Sequence, residues 1–234
     1  MKRMKIDFED AFEKLAKTSL EKKKTTAENL DLDYIVLLPK TLASELLKQL
    51  EDTVEYLDGD LSKVKVFGKW HQIPRQQVAY EDDGMVYRFS GNTIPAKPWT
   101  QLLRSVRDLI KNVIGFDYNF VLINRYRNGK DHIGEHKDNE VELDKNTPIA
   151  SLSLGQQRVF VLKHQDARKK GSDKRNVPPS NTTIKVLIST VNNIILNSSK
   201  NGIATRKSFI DESTHKSLLV SFFTAQQEYS WHQS

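Results

Sequence analysis

The sequence contains no cysteine among its 234 residues. Disulfide bonds, thiolate metal sites and cysteine nucleophiles are therefore excluded, and any metal must be bound by histidine, carboxylate or carbonyl groups. The chain also lacks an apolar run of about eighteen residues, the length that a membrane-spanning helix requires. Its first thirty residues lack the apolar core of a signal peptide. We therefore expect a protein without membrane attachment, in the nucleus or cytosol. We also expect it to be a monomer.

Composition and charge suit a globular domain with an anionic partner. Hydrophobic residues make up 38% of the chain, which is enough for a core, and the formal net charge is +6. A mildly basic balance fits nucleic acid or an anionic substrate, although ordinary proteins also show it. Residues 1–30 are rich in charge of both signs, which predicts a partly disordered, solvated arm before a single domain over residues 31–234.

Two segments carry apolar residues at helical spacing, residues 40–57 and residues 99–114. Gly115 stands directly after the second segment and is predicted to end that helix. Short apolar stretches separated by Gly, Pro, Asn and Asp predict strands. This combination favours an α+β domain built on a β-sandwich or barrel. The predicted strands are KVKVFG, QQVAY, MVYRFS, YNFVLINRY, PIASLSL, RVFVLK and TIKVLIS.

A histidine and an aspartate stand two residues apart beyond one of these strands, at His136 and Asp138. Non-haem iron oxygenases bind Fe(II) through two histidines and one carboxylate, and a His-x-Asp pair can supply two of these ligands. The strand itself carries Asn124 and Tyr126, which share one face because residues two apart in a strand point the same way. An amide and a phenol on one face could bind a small anion. A surface turn and ordinary core packing are the alternative explanations.

Aromatic and basic residues stand together in residues 66–76, VFGKWHQIPRQ, where Phe67 precedes Gly68. An apolar wedge flanked by basic residues is typical of proteins that unstack a base pair. Tyr87 and Phe89 share one face of a predicted strand and could enclose a flipped base. For each aromatic residue, a place in the hydrophobic core is the alternative.

Residues 64–165 resemble the AlkB family of Fe(II)/2-oxoglutarate dioxygenases, and most of all its members that repair alkylated DNA. The stretches VFGKWHQIPRQ, YRFSG, AKPW, NFVLINRYRNGKDHIGEHKDNE and TPIASLSLG follow in the family's order and spacing. The resemblance implies a double-stranded β-helix, or jelly roll, with N-terminal helices packed on the sheet. It implies Fe(II), 2-oxoglutarate and O₂, and a nuclear enzyme acting on duplex DNA. The implied reaction is oxidative demethylation of flipped bases of the 1-methyladenine and 3-methylcytosine type.

The same resemblance assigns roles to individual residues. It assigns Fe(II) to His136 and Asp138, and 2-oxoglutarate to Asn124 and Tyr126. It makes Phe67 the finger that fills the gap left by the extruded base. The other residues implied to contact the damaged base or the DNA are Val64, Gly68, Arg75, Tyr87, Phe89 and Asn139, together with Lys169, Lys170, Lys174 and Arg175 of a basic loop.

The end of the chain departs from the family pattern. The third iron ligand is assigned to His232, with His215 as the alternative, and no arginine follows Arg206 to supply the pair that binds 2-oxoglutarate in the family. Residues 190–213 have no clear period, which predicts an atypical insertion. We therefore expect an AlkB-like dioxygenase whose last strands are missing. A truncated, inactive member that only binds DNA is the alternative.

A metal-dependent nuclease is a third hypothesis. Asp131, Asp138, Glu140 and Glu142 supply carboxylates of the kind that bind Mg²⁺. This hypothesis requires the carboxylates to form one cluster, and it leaves the Asn-x-Tyr pair and the aromatic finger unexplained.

Overall fold

The structure is a computed structural model of the 234-residue chain. The parts that it describes are residues 6–27, 30–66, 68–82, 87–89, 92–134, 136, 138, 143–144, 146–163, 183–188, 193–198, 209–210 and 216–225.

Three α-helices lie in the described part of the chain, and their ends follow from local capping. The side chain of Asp7 accepts hydrogen bonds from the first amides of α1, and Thr100 caps α3 in the same way. Gly115 ends α3 in the left-handed conformation that glycine adopts without strain. The two helices expected from apolar spacing are thus confirmed. The helices are α1 Phe8–Ala16, α2 Lys40–Thr53 and α3 Gln101–Ile114. None of them is long and apolar enough to cross a membrane.

The described strands form one large mixed sheet, a second sheet of three strands and two hairpins. In chain order they are β1 Lys22–Ala27, β2 Leu30–Val36, β3 Lys63–Val66, β4 Lys69–Gln72, β5 Gln76–Glu81, β6 Tyr87–Phe89, β7 Asn92–Ile94, β8 Ala96–Pro98, β9 Phe120–Tyr126, β10 Ile149–Gly155, β11 Arg158–Lys163, β12 Thr183–Ile188, β13 Asn193–Ser198, β14 Phe209–Ile210 and β15 Ser217–Phe223. The large sheet has the order β1-β2-β13-β10-β15-β9-β5-β8, and the second sheet has the order β12-β11-β14.

The two faces of the large sheet differ in chemistry. On one face, buried residues of β5, β9, β10 and β15 pack with α1, α2 and α3 into the main hydrophobic core. Because side chains alternate along a strand, the residues between these core positions point to the opposite face. We call this opposite face the inner face. At one end it is apolar and carries Phe120, Leu122 and Phe223.

The N-terminal segment belongs to this domain, which corrects the expectation of a solvated arm. Phe8 and Phe12 of α1 are buried in the main core. They stand four residues apart and therefore lie on one side of the helix. After α1, β1 pairs antiparallel with β2. Residues 6–27 are thus structured, because the apolar side of α1 finds a partner in the core.

The stretch at residues 190–213, which we expected to be an atypical insertion, contributes strands to both sheets. Its strand β13 lies between β2 and β10 and pairs antiparallel with both. Its strand β14 pairs with β11 in the second sheet. The sequence shows little sign of these strands, because each depends on pairing partners from distant parts of the chain.

Gly155 ends β10 at a point where no side chain fits. Its φ is +87°, and a Cβ atom added there would lie 2.7 Å from the backbone oxygen of Lys216. We therefore expect Gly155→Ala to lower the free energy of unfolding by about 2–4 kcal/mol, through backbone strain and a forced shift of β15.

The matched control is Gly115→Ala. Gly115 has a similar φ of +81° but nothing within 4 Å of the added atom. It should cost only the strain of a left-handed residue, about 1–2 kcal/mol. Chemical denaturation of the two variants measures both costs, and equal losses would contradict the predicted clash with Lys216.

Candidate active site

The inner face of the large sheet becomes polar away from its apolar end. Buried Asn124 and Tyr126 of β9 lie here, opposite Val121 and Ile123, which pack in the main core. Small hydroxyl side chains surround them on the neighbouring strands, and Ser151 and Ser221 contact each other at 3.2 Å between their Oγ atoms. Buried polar groups require hydrogen-bond partners, and a face rich in such groups is a natural binding site. The other buried polar side chains of this face are Gln77, Ser153 and Ser217.

Asn124 is fixed by a buried arginine. The Nε atom of Arg75 donates a hydrogen bond of 2.7 Å to Oδ1 of Asn124. The same guanidinium reaches Oε1 of Gln77 at 3.4 Å, and Gln77 lies beside Asn124 in the pairing of β5 with β9. Arg75 is only 5% exposed. The sequence predicted a DNA contact for Arg75, but its guanidinium is buried against the residue expected to bind 2-oxoglutarate.

Tyr126 lies under a second buried arginine. The guanidinium carbon of Arg158 is 4.6 Å from the centre of the Tyr126 ring, which is the geometry of a cation–π contact. Burial raises the pKa of Tyr126 to about 12. The phenol is therefore protonated at neutral pH, and its hydroxyl group can donate a hydrogen bond to an anion.

The loop that follows β9, residues 127–134, is tightly bonded. Both carboxylate oxygens of Asp131 accept from the Arg127 guanidinium, at 2.7 and 2.8 Å. Burial alone would raise the pKa of Asp131, but the hydrogen bonds from Arg127 hold it below its usual value. The backbone amide of His132 donates to the backbone oxygen of Pro74 at 2.8 Å, which places the loop beside the segment of Arg75.

His136 and Asp138 face each other just beyond this loop. Nε2 of His136 lies 3.3 Å from Oδ1 of Asp138, and both side chains are mostly buried. Nδ1 of His136 lies 2.9 Å from the backbone oxygen of Gly134. A carbonyl oxygen only accepts hydrogen bonds, so Nδ1 is the donor in this contact and Nε2 is the ring nitrogen that faces the aspartate.

This pair fits an iron centre by its chemistry. Neighbouring ligands of an octahedral ion with bonds of about 2.1 Å are about 3 Å apart, close to the separation of Nε2 and Oδ1. Metal-binding histidines usually donate their second ring nitrogen to a carbonyl or carboxylate, as Nδ1 does here. Among the residues with described positions, no third histidine or carboxylate joins the pair. His232 and His215 lie outside the described residues, so both remain predictions as the third ligand.

Among the residues expected to contact DNA, Val64 and Gly68 lie in the hairpin β3–β4, which the structure describes. Val64 of β3 pairs with His71 of β4, and Gly68 in the turn has a φ of +80°. All four residues of β4 are exposed, and Trp70 is 57% exposed. Tyr87 and Phe89 lie in β6, whose side chains are outside the described structure. Also outside it are Phe67, Asn139, Lys169, Lys170, Lys174 and Arg175.

One of the four carboxylates that the nuclease hypothesis requires is already bonded to an arginine of the protein. Asp131 is 4% exposed and binds Arg127 through both oxygens, so its charge is already neutralised within the protein. Glu140 and Glu142 lie outside the described residues. The described geometry therefore supports a His–Asp metal pair rather than a cluster of carboxylates.

Sequence reasoning did not identify Arg158 as part of the site. It opens β11, which was predicted only as the apolar strand RVFVLK. A charged residue at the start of such a strand is ordinary at a sheet edge, so no local pattern marks it. Its contact with Tyr126 depends on how the two sheets lie against each other.

A model of the 2OG-Fe(II) oxygenase superfamily matches residues 34–199. The chain therefore belongs to the 2OG-Fe(II) oxygenase superfamily. Membership confirms the α+β class and the double-stranded β-helix expected from the sequence, and it implies Fe(II), 2-oxoglutarate and O₂.

The relatives of this chain confirm the resemblance to the AlkB type. It is 51% identical over 149 residues to DNA oxidative demethylase ALKBH2 of Homo sapiens, covering 64% of this chain and 57% of that protein. The Bos taurus protein of the same name is also 51% identical over 149 residues, covering 64% of this chain and 54% of that protein. The chain thus spans little more than half the length of these relatives. Alpha-ketoglutarate-dependent dioxygenase alkB homolog 3 of Homo sapiens is 33% identical over 104 residues, covering 44% of this chain and 36% of that protein.

Proposed function

We propose that this protein is an AlkB-type dioxygenase that removes methyl groups from the ring nitrogens of DNA bases by oxidation. Fe(II) is bound by His136 and Asp138, and 2-oxoglutarate is bound beside Asn124 and Tyr126. The observation that carries this proposal is the paired geometry of His136 and Asp138. Nε2 and Oδ1 lie at the spacing of neighbouring metal ligands, with Nδ1 held by the Gly134 carbonyl.

The electrostatics of the inner face support a dicarboxylate as cosubstrate. Arg75 bonds Asn124, and Arg158 lies over Tyr126, so two buried guanidinium groups put positive charge beside the proposed site. Positive charge and hydrogen-bond donors bind carboxylates most strongly where water is excluded. Asn124 can offer its amide N–H₂ because its oxygen is already bonded to Arg75.

When bound, iron supplies the oxidising chemistry that converts 2-oxoglutarate and O₂ to succinate and CO₂ and hydroxylates the methyl group. The protein binds and orients the reactants for this chemistry. The protonated Tyr126 phenol can hydrogen-bond a carboxylate of 2-oxoglutarate, and the Gly134 carbonyl keeps His136 in the tautomer that binds metal. The hydroxylated methyl group then leaves the base as formaldehyde.

DNA is the proposed substrate because relatives that are 51% identical to this chain are named DNA oxidative demethylases. The exposed hairpin β3–β4 supports this choice, since it presents Lys69, Trp70 and His71 to solvent. Aromatic and basic groups together suit a surface that contacts bases and phosphates. Preference for duplex DNA, action as a monomer and location in the nucleus remain predictions.

The test is product formation by the 234-residue chain. We expect succinate and formaldehyde to form together when the chain is incubated with Fe(II), 2-oxoglutarate, ascorbate and duplex DNA that contains 1-methyladenine. The same duplex without the methyl group should give no formaldehyde. Binding of the methylated duplex without either product would reject the dioxygenase in favour of the inactive DNA-binding form.

Phe67→Ala is expected to reduce repair of duplex DNA about tenfold or more while repair of single strands changes little. Stacking of an aromatic side chain on a base contributes about 1–3 kcal/mol, and only a duplex has a gap to fill when a base is extruded. Product formation on both substrates measures the effect. Phe116→Ala is the control, because Phe116 is an exposed phenylalanine beyond the end of α3 and outside the predicted DNA-contacting segment. Equal losses on the two substrates would assign Phe67 to the core.

A further inference from the structure

We infer that Arg158 is a positioning residue, whose single guanidinium holds Tyr126 and the 127–134 loop in the arrangement that iron and 2-oxoglutarate require. The inference rests on the proposed function and adds to it. Arg158 is not one of the residues expected to bind metal, cosubstrate or DNA, and its role follows from its contacts in this structure.

The guanidinium of Arg158 is bonded in three directions. Nε donates to Oγ of Ser217 at 2.6 Å, Nη1 donates to the backbone oxygen of Asp131 at 2.8 Å, and Nη2 donates to the backbone oxygen of Asn128 at 2.7 Å. Its guanidinium carbon lies over the Tyr126 ring, 4.6 Å from the ring centre. Arg158 is 2% exposed, so these contacts are shielded from water. One side chain of β11 thus joins β9, β15 and the loop that leads to His136.

Two of the hydrogen bonds of Arg158 hold the conformation of the 127–134 loop. The Asn128 oxygen that accepts from Arg158 also accepts from the Asp131 amide at 3.2 Å, which closes the turn over residues 128–131. Arg158 therefore fixes both ends of this turn through backbone oxygens. Arg127, directly before the turn, binds the Asp131 carboxylate. Because His136 follows only a few residues later, the position of this turn sets where the metal pair begins.

Only arginine can make this set of contacts. Its planar group presents five N–H donors in a fixed fork and can still stack on an aromatic ring. A lysine at the same position keeps the positive charge, but its one ammonium group cannot reach three acceptors and stack as well. Arg158→Lys therefore keeps the positive charge at this position and removes the planar arrangement of its hydrogen-bond donors.

Arg125 offers a matched control on the same strand. It lies next to Tyr126 in β9 but points to the helix side of the sheet, where it binds both carboxylate oxygens of Glu51. It is also mostly buried, with its side chain 18% exposed. Arg125→Lys thus disturbs a bidentate arginine of β9 without touching the inner face.

The experiment compares Arg158→Lys, Arg125→Lys and the unaltered chain in three measurements. The first is the thermal unfolding midpoint. The second is the dissociation constant of 2-oxoglutarate in the presence of Fe(II) without O₂, followed by the visible charge-transfer absorption of the complex. The third is amide hydrogen exchange of the 127–134 loop, where the Asp131 and His132 amides are bonded.

We expect Arg158→Lys to weaken 2-oxoglutarate binding by about 10- to 100-fold, the usual effect of losing a group that orients metal-site residues. It should also speed exchange at the Asp131 amide. Arg125→Lys should lower the unfolding midpoint but leave both the dissociation constant and the loop exchange unchanged. If Arg158→Lys does not fold, Ser217→Ala takes its place, because it removes one of the three hydrogen-bond acceptors of the Arg158 guanidinium. It should weaken 2-oxoglutarate binding and speed loop exchange by smaller amounts.

Two results would overturn the inference. One is an Arg158→Lys variant with unaltered 2-oxoglutarate binding and loop exchange. The other is an equal loss of binding in Arg125→Lys, which would mean that general destabilisation explains the effect. If the unaltered chain shows no charge-transfer absorption at all, the proposed function fails. The exchange measurement then still decides whether Arg158 holds the loop.

Discussion

Replacing His136 by alanine is expected to abolish Fe(II)-dependent conversion of 2-oxoglutarate, with a loss of more than about 100-fold. The physical reason is the loss of Nε2, the proposed ligand atom that lies 3.3 Å from Oδ1 of Asp138. Removing even a group that only supports a metal ligand costs about 10- to 100-fold, so removing the ligand itself should cost more. Succinate formation and equilibrium binding of Fe(II) measure the effect.

His132→Ala is the control for this variant. His132 lies four residues earlier and is exposed, and its Nδ1 contacts the backbone oxygen of Lys130 at 3.0 Å. Its ring therefore resembles that of His136 in its local bonding but has no facing carboxylate among the described ion pairs. We expect near-normal activity from His132→Ala and unchanged unfolding midpoints for both variants. Full activity of His136→Ala would remove this histidine from the metal site.

Glu51→Ala is expected to lower the free energy of unfolding by about 2–4 kcal/mol, because it leaves the mostly buried Arg125 without its carboxylate partner. Oε2 of Glu51 also forms an ion pair with Nζ of Lys216 at 3.4 Å. One carboxylate therefore joins α2, β9 and the residue before β15. Asp52→Ala is the control on the same helix. Asp52 pairs with Lys48 in solvent, and an exposed pair of this kind contributes less than about 1 kcal/mol. Urea unfolding of both variants tests the difference.

The effect of Glu51 should depend on pH. Burial alone would raise the pKa of Glu51, but the hydrogen bonds and charge of Arg125 hold it below the usual value of 4.5. A lowered pKa stabilises the folded state above the unfolded value, and this stabilisation is lost as the pH falls through the folded value. The difference between the unaltered chain and Glu51→Ala should therefore be full at pH 7 and shrink below about pH 4.5. A difference that stays constant down to pH 3 would contradict the ion pair.

The elements with a strong local period could be predicted from the sequence, and those held by distant partners could not. The helices α2 and α3 show their apolar spacing directly, and Gly115 marks the end of α3. The hairpin β1–β2 begins with KKKTTA, whose charge resembles that of a solvated arm. It forms a pair of strands because β13 lies beside β2, and no property of residues 22–36 shows that neighbour.

The same division applies to the site. The pairs His136–Asp138 and Asn124–Tyr126 could be proposed because residues two apart share a face within one segment. The contacts that two arginines make with them could not, because Arg75 and Arg158 come from segments distant in sequence, and Arg75 was expected to contact DNA instead. Burial decides their role, and the burial of a charged side chain depends on partners that only the fold brings together.

The N-terminal hairpin joins the large sheet through a strand that is synthesised far later. Val36 pairs with Asn193, and β13 is the neighbour through which β1 and β2 reach β10 among the described strands. During translation, the hairpin therefore leaves the ribosome long before its docking partner exists, with one edge of β2 unpaired. Contacts between such distant segments form slowly. Until β13 is in place, the unpaired edge of β2 can pair with a strand of another protein molecule. In this protein, β1 and β2 are therefore synthesised well before the strand through which they join the large sheet.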